Sequence, residues 1–369
     1  MILKKNAVRK FKKVLIINPF GIGDVLFTTP VIRAIKEEYP GCYIGYWSNA
    51  RVKPLINSGF GVDKVFALSR GDIKKLYQES FFKGFWNSVK LILAIKKESF
   101  DICFDFSLDH RYGLFSKIIG ISRRIGFNYK GRGRFLTDKI DIIGYNDKHA
   151  IEYYLDLLRL ISIRLKDRNL ALLVSAANLM KAKNILSLAY VEEGDLLVGI
   201  APGAGGSWGK DAVYRHWPAL KFAQVADELI DKFKVKIVLI GDEADAPIAD
   251  VVINAMRNKA INLVGKVNLE VLPAIIKNFR IFISNDGGPM HMAVALGVNT
   301  VSVMGPASEN VYGPYPMDEN HVVLRWSGEC RPCYKNFKLP VCDRDRECLR
   351  SVGVEDVFAA VVLLLENPK

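Results

Sequence analysis

Short apolar segments alternate with longer amphipathic segments along almost the whole chain. This alternation is typical of βαβ units, in which helices connect the strands of a parallel sheet. In the first half, the pattern predicts strands at Lys13–Asn18, Cys42–Trp47, Lys64–Leu68 and Asp101–Phe106, with a weaker fifth at Ile121–Phe127. Helices are predicted between them, for example over Val31–Tyr39 and Ile73–Lys97.

A second series of the same kind begins near residue 175. It predicts strands at Leu196–Ala201, Lys236–Ile240, Ile261–Val264, Arg280–Ser284 and Thr300–Met304, and helices over His216–Lys232, Ala246–Asn258, Leu269–Lys277 and Pro289–Leu296. The helix Glu152–Leu165 and the polar stretch 166–169 are interpreted as the crossover between two domains. Two consecutive open α/β domains are expected to bind ligands beyond the carboxyl ends of their strands.

The length of 369 residues also favours two domains, and 50% hydrophobic with 25% charged residues is an ordinary globular composition. No segment has the roughly 18–20 continuous apolar residues of a membrane span. The apolar run Val14–Ile17, which follows the basic N-terminus, is too short for the core of a signal peptide. We therefore expect a cytoplasmic protein.

The chain has a formal net charge of +13, from 52 Lys and Arg against 39 Asp and Glu. An excess of positive charge favours anionic partners. Residues 1–13 and 110–137 both contain several basic residues and no acid. Each stretch is either a solvated face or a surface for an anionic substrate or membrane, and no nucleic-acid partner is expected.

The segment Phe81–Lys97 combines aromatic and apolar residues with lysines. Such a composition suits a helix lying on an anionic membrane, with aromatic rings at the headgroup level. It equally suits a helix that packs on its own sheet through Leu91, Ile92 and Ile95.

The first candidate motif is Asn18–Asp24, which follows a strand and leads into a helix. Gly21 and Gly23 let the backbone turn tightly and approach a ligand. The third glycine of a dinucleotide fingerprint is missing, and no acid follows the second strand, which argues against NAD. Asp24 is either a helix cap or a general base that takes a proton from an acceptor hydroxyl. Pro30 is expected to kink or restart the helix.

The second motif is Asn285–His291, after another predicted strand. Gly287 and Gly288 precede Pro289, which suits the first position of a helix, so a strand, a glycine pair and a helix N-terminus form an anion site. Asp286 would repel a phosphate, and it is expected to cap the loop or hold a sugar hydroxyl. His291 is either structural or within reach of a diphosphate.

Two further strand ends carry polar residues. The glycine-rich loop after Ala201 contains Ser207, which could donate to phosphate, and is followed by Arg215, which could neutralise a leaving group or be a plain surface residue. Glu243 follows the next strand and could accept hydrogen bonds from ribose or sugar hydroxyls. Helix capping by its neighbour Asp242 is an equally good interpretation.

Six cysteines are present, and four of them lie close together in the sequence near the C-terminus. Cys330, Cys333, Cys342 and Cys348 have a zinc-like density but no second C-x2-C pair, so structural zinc and reduced thiols packing a loop both remain open. The nearby Asp343-Arg-Asp345 resembles a metal-binding D-x-D, but it lies inside this loop and we interpret it as chance.

Together these segments resemble the heptosyltransferase family, glycosyltransferase family 9, over nearly the whole chain. The resemblance rests on the order of their motifs: Gly21-Ile-Gly-Asp24 with Pro30, Pro202-Gly203-Ala204 with Arg215-His-Trp-Pro218, Asp286-Gly-Gly-Pro-Met-His291, and the late cysteines. It implies the GT-B fold, with two Rossmann-like domains facing across a cleft. It also implies transfer of heptose from ADP-heptose to the inner core of lipopolysaccharide, with inversion and without a metal or cofactor.

The resemblance assigns roles to individual residues. Asp24 matches the proposed catalytic base. The donor is expected to contact Ser207, Arg215, Glu243, Asp286, Gly287, Gly288 and His291, and the acceptor Gly21, Gly23, Arg123, Arg124, Lys130 and Arg132. Gly287 departs from the family pattern, where a threonine is common, so a side-chain contact to phosphate is lost and only the backbone N–H remains.

We therefore expect an acceptor-binding domain over residues 1–170 and a nucleotide-sugar-binding domain over 171–369, with a last helix that could return to the first domain. The expected partners are an ADP-sugar, an acidic lipid-linked saccharide and an anionic membrane at the inner face of the inner membrane. The alternatives are a transferase for another nucleotide-sugar, a nucleotide-sugar epimerase on the same fold, and a non-catalytic binding protein.

Overall fold

A computed structural model describes residues 11–68 and 78–366 of the chain. Contacts divide the described residues into two compact units. The first unit contains residues from 11–20, 27–144 and 150–168, and the second contains 21–26, 145–149 and 169–366. The short segment that carries Asp24 therefore packs with the second unit, although it directly follows a strand of the first.

The first unit is built on a six-stranded parallel sheet with strand order β3-β2-β1-β4-β5-β6. Its strands are β1 Lys13–Ile17, β2 Tyr43–Ser48, β3 Lys64–Ala67, β4 Ile102–Asp105, β5 Arg123–Tyr129 and β6 Asp138–Ile142. Its helices are α2 Thr29–Glu38, α3 Lys53–Gly59, α4 Phe81–Glu98, α5 His110–Ile118 and α6 Ala150–Arg159. The central strands are buried and almost wholly apolar, as expected for a parallel sheet covered on both faces.

The second unit repeats this architecture, with strand order β12-β11-β10-β7-β8-β9. Its strands are β7 Leu197–Ala201, β8 Lys236–Leu239, β9 Ile261–Asn262, β10 Ile281–Asn285, β11 Asn299–Val303 and β12 His321–Leu324. Its helices are α1 Ile22–Leu26, α7 Ala176–Leu188, α8 Ala219–Phe233, α9 Ala246–Ala255, α10 Leu272–Ile276, α11 Gly288–Ala295, α12 Glu309–Tyr312, α13 Glu347–Arg350 and α14 Val354–Glu366, with 3-10 helices at Gly206–Arg215 and Glu243–Asp245. Both sheets have the strand order of doubly wound nucleotide-binding folds.

All ten predicted strands are confirmed, including the weaker fifth, but the last strand of each sheet was missed. β6, Asp138–Ile142, contains three charged residues among five, and β12 is only four residues long. Each of the two strands lies at an edge of its sheet. Edge strands bury less side-chain surface than central ones, so their hydrophobic signal is weak.

The helices differ from the prediction mainly at their boundaries. Pro30 lies in the first turn of α2, where it restarts the helix as expected. The predicted helix Glu152–Leu165 ends at Arg159, and Ser162 beyond it has a left-handed φ of 59° that no helix continues through. Helix α7, Ala176–Leu188, was not predicted.

The last helix, α14, packs on the sheet of the second unit. Val357, Val361 and Leu364 enter the same apolar core as Ile281 and Val301 of the central strands. The suggestion that this helix returns to the first domain is therefore not what the structure shows.

Helix α4 begins at Phe81, where the side chain of Ser80 accepts a hydrogen bond from the Lys83 amide and caps the N-terminus. The earlier part of the predicted helix over Ile73–Lys97 falls partly on residues 69–77, which lie outside the described residues. In the described part of the chain, no helix is both long enough and apolar enough to cross a membrane.

Candidate active site

Two glycine-containing motifs meet where helix α1 packs against helix α11. A Cβ atom on Gly23 would lie 2.8 Å from Cδ2 of His291, and one on Gly288 would lie 2.7 Å from Cβ of Ile22. Real Cβ atoms do not approach other atoms this closely, so only glycine allows the two helices this separation. The sequence predicted both glycine motifs, and the structure brings them into contact within the second unit.

Asp24 lies in the first turn of helix α1 and remains partly exposed to solvent. Burial raises the pKa of its carboxyl group to about 6. Arg215 and backbone hydrogen bonds from Gly21 and from Asp24 itself act in the opposite direction, and the carboxylate of Asp286 adds to the increase. A carboxyl group with this pKa is ionised at neutral pH and can still take up a proton, which suits a general base.

Arg215 and Asp286 form a buried ion pair beside this carboxyl group. Nη2 of Arg215 donates to Oδ1 of Asp286 at 3.0 Å, and both side chains are almost fully buried. The sequence predicts Arg215 near a leaving group and Asp286 at the loop or a sugar hydroxyl, and nothing in the sequence indicates that the two side chains pair with each other. Neither is a plain surface residue.

Asn285, at the end of β10, fixes the loops around the ion pair. Its Nδ2 donates to the carbonyl oxygens of Pro202 at 2.6 Å and Gly203 at 3.2 Å. Its Oδ1 accepts from the backbone amide of Trp217 at 2.8 Å. One buried amide side chain thereby connects the loop after β7, the segment after Arg215 and the glycine motif of β10.

Two histidines and a tyrosine complete the surroundings. His291 is buried, and burial, with smaller contributions from His149 and Arg215, lowers its pKa to about 3, so its ring is neutral. Nε2 of His149 lies 3.1 Å from the carbonyl oxygen of Gly313. Burial raises the pKa of Tyr312, and the carboxylates of Asp24 and Asp286 contribute in the same sense.

The remaining donor-side predictions lie at other strand ends of the second unit. Glu243 is exposed in the 3-10 helix after β8, while Asp242 caps that helix by accepting from the Ala244 amide at 3.0 Å. The capping interpretation of Asp242 is thus confirmed. The side chain of Ser207 lies outside the described part of the structure.

The predicted acceptor residues belong to the first unit, apart from Gly21 and Gly23. The guanidinium group of Arg123 pairs with Asp138 at 2.9 Å, and that of Arg124 donates to backbone carbonyls, including that of Phe135 at 2.7 Å. Both groups therefore stabilise the fold, and their contact with an acceptor stays a prediction.

Lys130 and Arg132 have a different environment from these two arginines. Their cationic groups lie over the ring of Tyr129, at 5.0 Å and 5.6 Å from its centroid, in a turn after β5. Cation–π contacts of this kind are weak at exposed sites, so both groups remain available to an anion.

The late cysteines are reduced in the structure. Burial raises the pKa of Cys348 to about 11, and the neighbouring thiols Cys333, Cys330 and Cys342 contribute to the increase. The four side chains therefore influence one another, yet within residues 11–68 and 78–366 no three His, Cys, Asp or Glu side chains are grouped so that they could hold a metal ion. Structural zinc and reduced thiols that pack a loop both stay predictions for these four residues.

Two parallel six-stranded sheets of doubly wound order are the features of the GT-B fold. Solved structures agree on the fold. The Escherichia coli ADP-heptose lps heptosyltransferase II has a TM-score of 0.73 at 21% identity, covering 96% of this chain and 99% of that one. A family 9 glycosyltransferase from Veillonella parvula has a TM-score of 0.79 at 22% identity, covering 96% and 98%.

Sequence comparison identifies the family. The model of glycosyltransferase family 9 (heptosyltransferase) matches residues 88–339. Lipooligosaccharide heptosyltransferase 2 of Campylobacter jejuni is 26% identical over 363 residues, which cover 96% of this chain and 99% of that protein. The chain belongs to glycosyltransferase family 9 and is a glycosyltransferase.

Proposed function

We propose that this enzyme transfers heptose from ADP-heptose to the inner core of lipopolysaccharide, with inversion at the anomeric carbon and without a metal ion. The substrate assignment is supported by the names of the relatives, which are heptosyltransferases of lipopolysaccharide or lipooligosaccharide. The observation that carries the mechanism is the position of Asp24, whose carboxyl pKa is about 6, beside the glycine-rich N-terminus of helix α11.

In the proposed reaction, Asp24 takes the proton from an acceptor hydroxyl group as its oxygen attacks the anomeric carbon of heptose. The new bond forms on the face opposite the diphosphate, and the bond between the anomeric carbon and the phosphate oxygen breaks. ADP leaves with the bonding electrons, and the proton remains on the Asp24 carboxyl group. One displacement of this kind inverts the anomeric centre, and the base contributes about 100- to 10,000-fold to its rate.

On the donor side, the backbone N–H groups of Gly287 and Gly288 are proposed to bind the diphosphate, because the N-terminus of a helix favours anions. Arg215 adds positive charge while Asp286 fixes its orientation. His291 is neutral and contributes a hydrogen bond rather than a charge. Ser207 and Glu243 are proposed to contact phosphate and sugar or ribose hydroxyls, respectively.

On the acceptor side, residues 1–170 are proposed to bind the acidic saccharide, and 171–369 the ADP-sugar. Lys130 and Arg132 are the most available of the predicted acceptor residues, since Arg123 and Arg124 are engaged in the fold. Because the acceptor is linked to a lipid, we place the reaction in the cytoplasm at the inner face of the inner membrane.

The test is turnover of ADP-heptose with lipid A core acceptors of graded length, with the anomeric configuration of the product read by NMR. The proposal expects a product only with an acceptor that already carries the inner-core sugars. Retention of configuration would contradict the single displacement. Consumption or isomerisation of the donor without any acceptor would favour an epimerase instead.

A further inference from the structure

Helix α4, Phe81–Glu98, presents two chemically different faces. Ile95 on one face is buried in the apolar core of the first unit, with Leu91 and Ala94 packed against it. The opposite face leaves large apolar side chains in solvent, with exposed fractions of 73% for Phe82, 56% for Trp86 and 57% for Leu93. Packing on the sheet is therefore confirmed for one face of the helix, and the membrane interpretation, which concerns the opposite face, stays a prediction.

The exposed apolar side chains form a continuous stripe. Phe82 and Trp86 are four residues apart and Trp86 and Leu93 seven apart, which are the spacings of neighbours on one side of an α-helix. Phe85 extends the stripe at its N-terminal end, where its ring lies 5.8 Å from that of Trp86. Exposed large apolar residues that occur singly need no explanation, whereas a contiguous stripe indicates an interaction surface.

Lysines run beside this stripe. Lys83, Lys90 and Lys97 repeat every seven residues and are all exposed, as is Lys96 on the other side of the stripe. The one acid of the helix, Glu98, is turned away from this face because it pairs with Lys64 at 2.6 Å and Lys13 at 3.7 Å. The surface thus joins aromatic rings to positive charge, with no acid on the helix to offset it.

We propose that this face, formed by Phe82, Phe85, Trp86 and Leu93 with the flanking lysines, docks the enzyme on an anionic lipid bilayer. Aromatic and leucine side chains enter the region between headgroups and acyl chains, and the lysines contact lipid phosphates. A protein partner would not require lysines on both sides of an aromatic stripe, whereas a bilayer of anionic lipids matches that pattern. Docking of the enzyme on a bilayer does not depend on the sugar that is transferred.

The test is co-sedimentation of the full chain with vesicles of phosphatidylcholine alone or of an equal mixture with phosphatidylglycerol, at low and high salt. We expect binding to the anionic vesicles only, weakening as salt rises, because screening acts over a Debye length of about 8–10 Å. Equal binding to both vesicle types, or to neither, would overturn the proposal.

Two sets of variants locate the surface. Trp86→Glu with Leu93→Glu should abolish sedimentation, whereas Leu220→Glu, at a leucine of the second unit with a matching exposed fraction of 58%, should not. Replacing Lys83, Lys90 and Lys97 with Gln should weaken binding by about fivefold per lysine. The same change at the exposed Lys181, Lys183 and Lys259 of the second unit removes equal charge and should have little effect.

Two controls separate this proposal from its rivals. Transfer to a water-soluble acceptor fragment should be unchanged in the Trp86 and Leu93 variants, so a failure of membrane docking is distinguishable from a failure of the proposed reaction. Sedimentation velocity of the free protein tests whether a second copy of the chain, and not a membrane, covers this face of helix α4. A dimer that Leu93→Glu dissociates would overturn the assignment to lipid.

Discussion

The guanidinium group of Arg215 and the carboxylate of Asp286 lie 3.0 Å apart in a buried ion pair, and the two residues act in opposite senses on the Asp24 carboxyl group. Arg215 lowers the pKa of Asp24 and Asp286 raises it. The pair therefore brings both signs of charge to the proposed base without adding net charge around it. Substituting either residue of the pair should therefore change the pH dependence of the reaction.

Removing one partner at a time should shift the acidic limb of the rate profile in opposite directions. Asp24 must be ionised to act as a base, so the rate rises with pH through its pKa of about 6. Arg215→Met should raise that pKa and move the limb to higher pH, whereas Asp286→Asn should lower it and move the limb to lower pH. The measurement is kcat/KM against pH for each variant.

The pH of the acidic limb reports on the pKa of Asp24 better than the maximal rate does, since Arg215 is also proposed to contact the leaving group. Each single change leaves a buried charge without its partner, which typically costs about 3–5 kcal/mol of stability. The double variant removes both charges and should be more stable than the sum of the single changes predicts. Shifts of the same sign in both single variants would show that the ion pair does not control Asp24.

Asp24→Asn should reduce turnover by about 100- to 10,000-fold, because an amide cannot accept the proton of the acceptor hydroxyl group. Binding of ADP should change little, since the proposed diphosphate contacts come from Gly287, Gly288 and Arg215. Calorimetric titration with ADP and steady-state kinetics measure the two effects separately. Turnover within a few-fold of the original enzyme, with ADP binding intact, would remove Asp24 from the role of base.

Gly23→Ala should impair activity through geometry alone. The added methyl group would meet the ring of His291, 2.8 Å from Cδ2, and force helix α1 or the ring to move. A displacement of about 1 Å near reacting groups can lower the rate about 100-fold. The control is Gly113→Ala in helix α5, where the nearest atom would be 3.4 Å away and the backbone is helical.

The control variant should be as active as the original enzyme and slightly more stable, by about 0.5–1 kcal/mol, because alanine favours a helix over glycine. Rates and thermal midpoints for both variants provide the comparison. Loss of activity in Gly113→Ala as well would mean that the effect at Gly23 is a general loss of folding.

The sequence could predict those parts of the site that depend on local pattern. The strand ends and the glycine motifs around Gly23 and Gly288 follow from hydrophobic runs interrupted by glycine, so the fold and the motifs were found. The pairing of Arg215 with Asp286 joins residues 71 positions apart. No periodicity encodes such a pair, and only the parallel order of β7 and β10 brings their loops together.

Two other residues lacked any sequence signal. His149 lies in a connecting segment and Tyr312 ends the four-residue helix α12, and neither belongs to a repeat or glycine pattern. Their relation to His291 and Asp24 appears only in three dimensions. The same limit applied to the two faces of helix α4, where one amphipathic segment supported two interpretations until the burial of Ile95 and the exposure of Trp86 separated them.

Activity should survive removal of divalent cations by EDTA. The proposed stabilisation of the departing diphosphate comes from the N-terminus of helix α11 and from Arg215, and neither needs a metal. The measurement is the initial rate after exhaustive chelation, with and without added magnesium or manganese. Loss of activity that either metal restores would show that this account of the leaving group is wrong.

Asp105 offers a test of burial that is independent of the reaction. It ends strand β4 in the first unit, is 5% exposed, and its Oδ1 accepts from the Ser107 amide at 2.9 Å. Burial raises the pKa of its carboxyl group from 3.8 to about 6, although the hydrogen bonds from Ser107 act against the increase. The folded state therefore keeps this proton up to a higher pH than the unfolded state does.

The sign of the effect follows from that difference. Between about pH 4 and pH 6 the folded chain binds more protons at Asp105 than the unfolded chain, so its contribution to stability falls as pH rises. A rise in the pKa of Asp105 from 3.8 to about 6 corresponds to a loss of at most about 3 kcal/mol of stability at high pH. Asp105→Asn retains an oxygen for the Ser107 amide and cannot ionise. The stability of this variant relative to the original chain should therefore increase from pH 4 to pH 8.

Asp138 supplies a control of opposite sign. Burial alone would raise its pKa, but hydrogen bonds from Arg123 and Thr137 lower it below its ordinary value. Asp138→Asn should therefore lose stability relative to the original chain as pH rises through the titration of this group. Urea midpoints at pH 4 and pH 8 measure the stability of both variants. If the difference in midpoint between Asp105→Asn and the original chain is the same at the two pH values, the Asp105 carboxyl group has an ordinary pKa in the folded state.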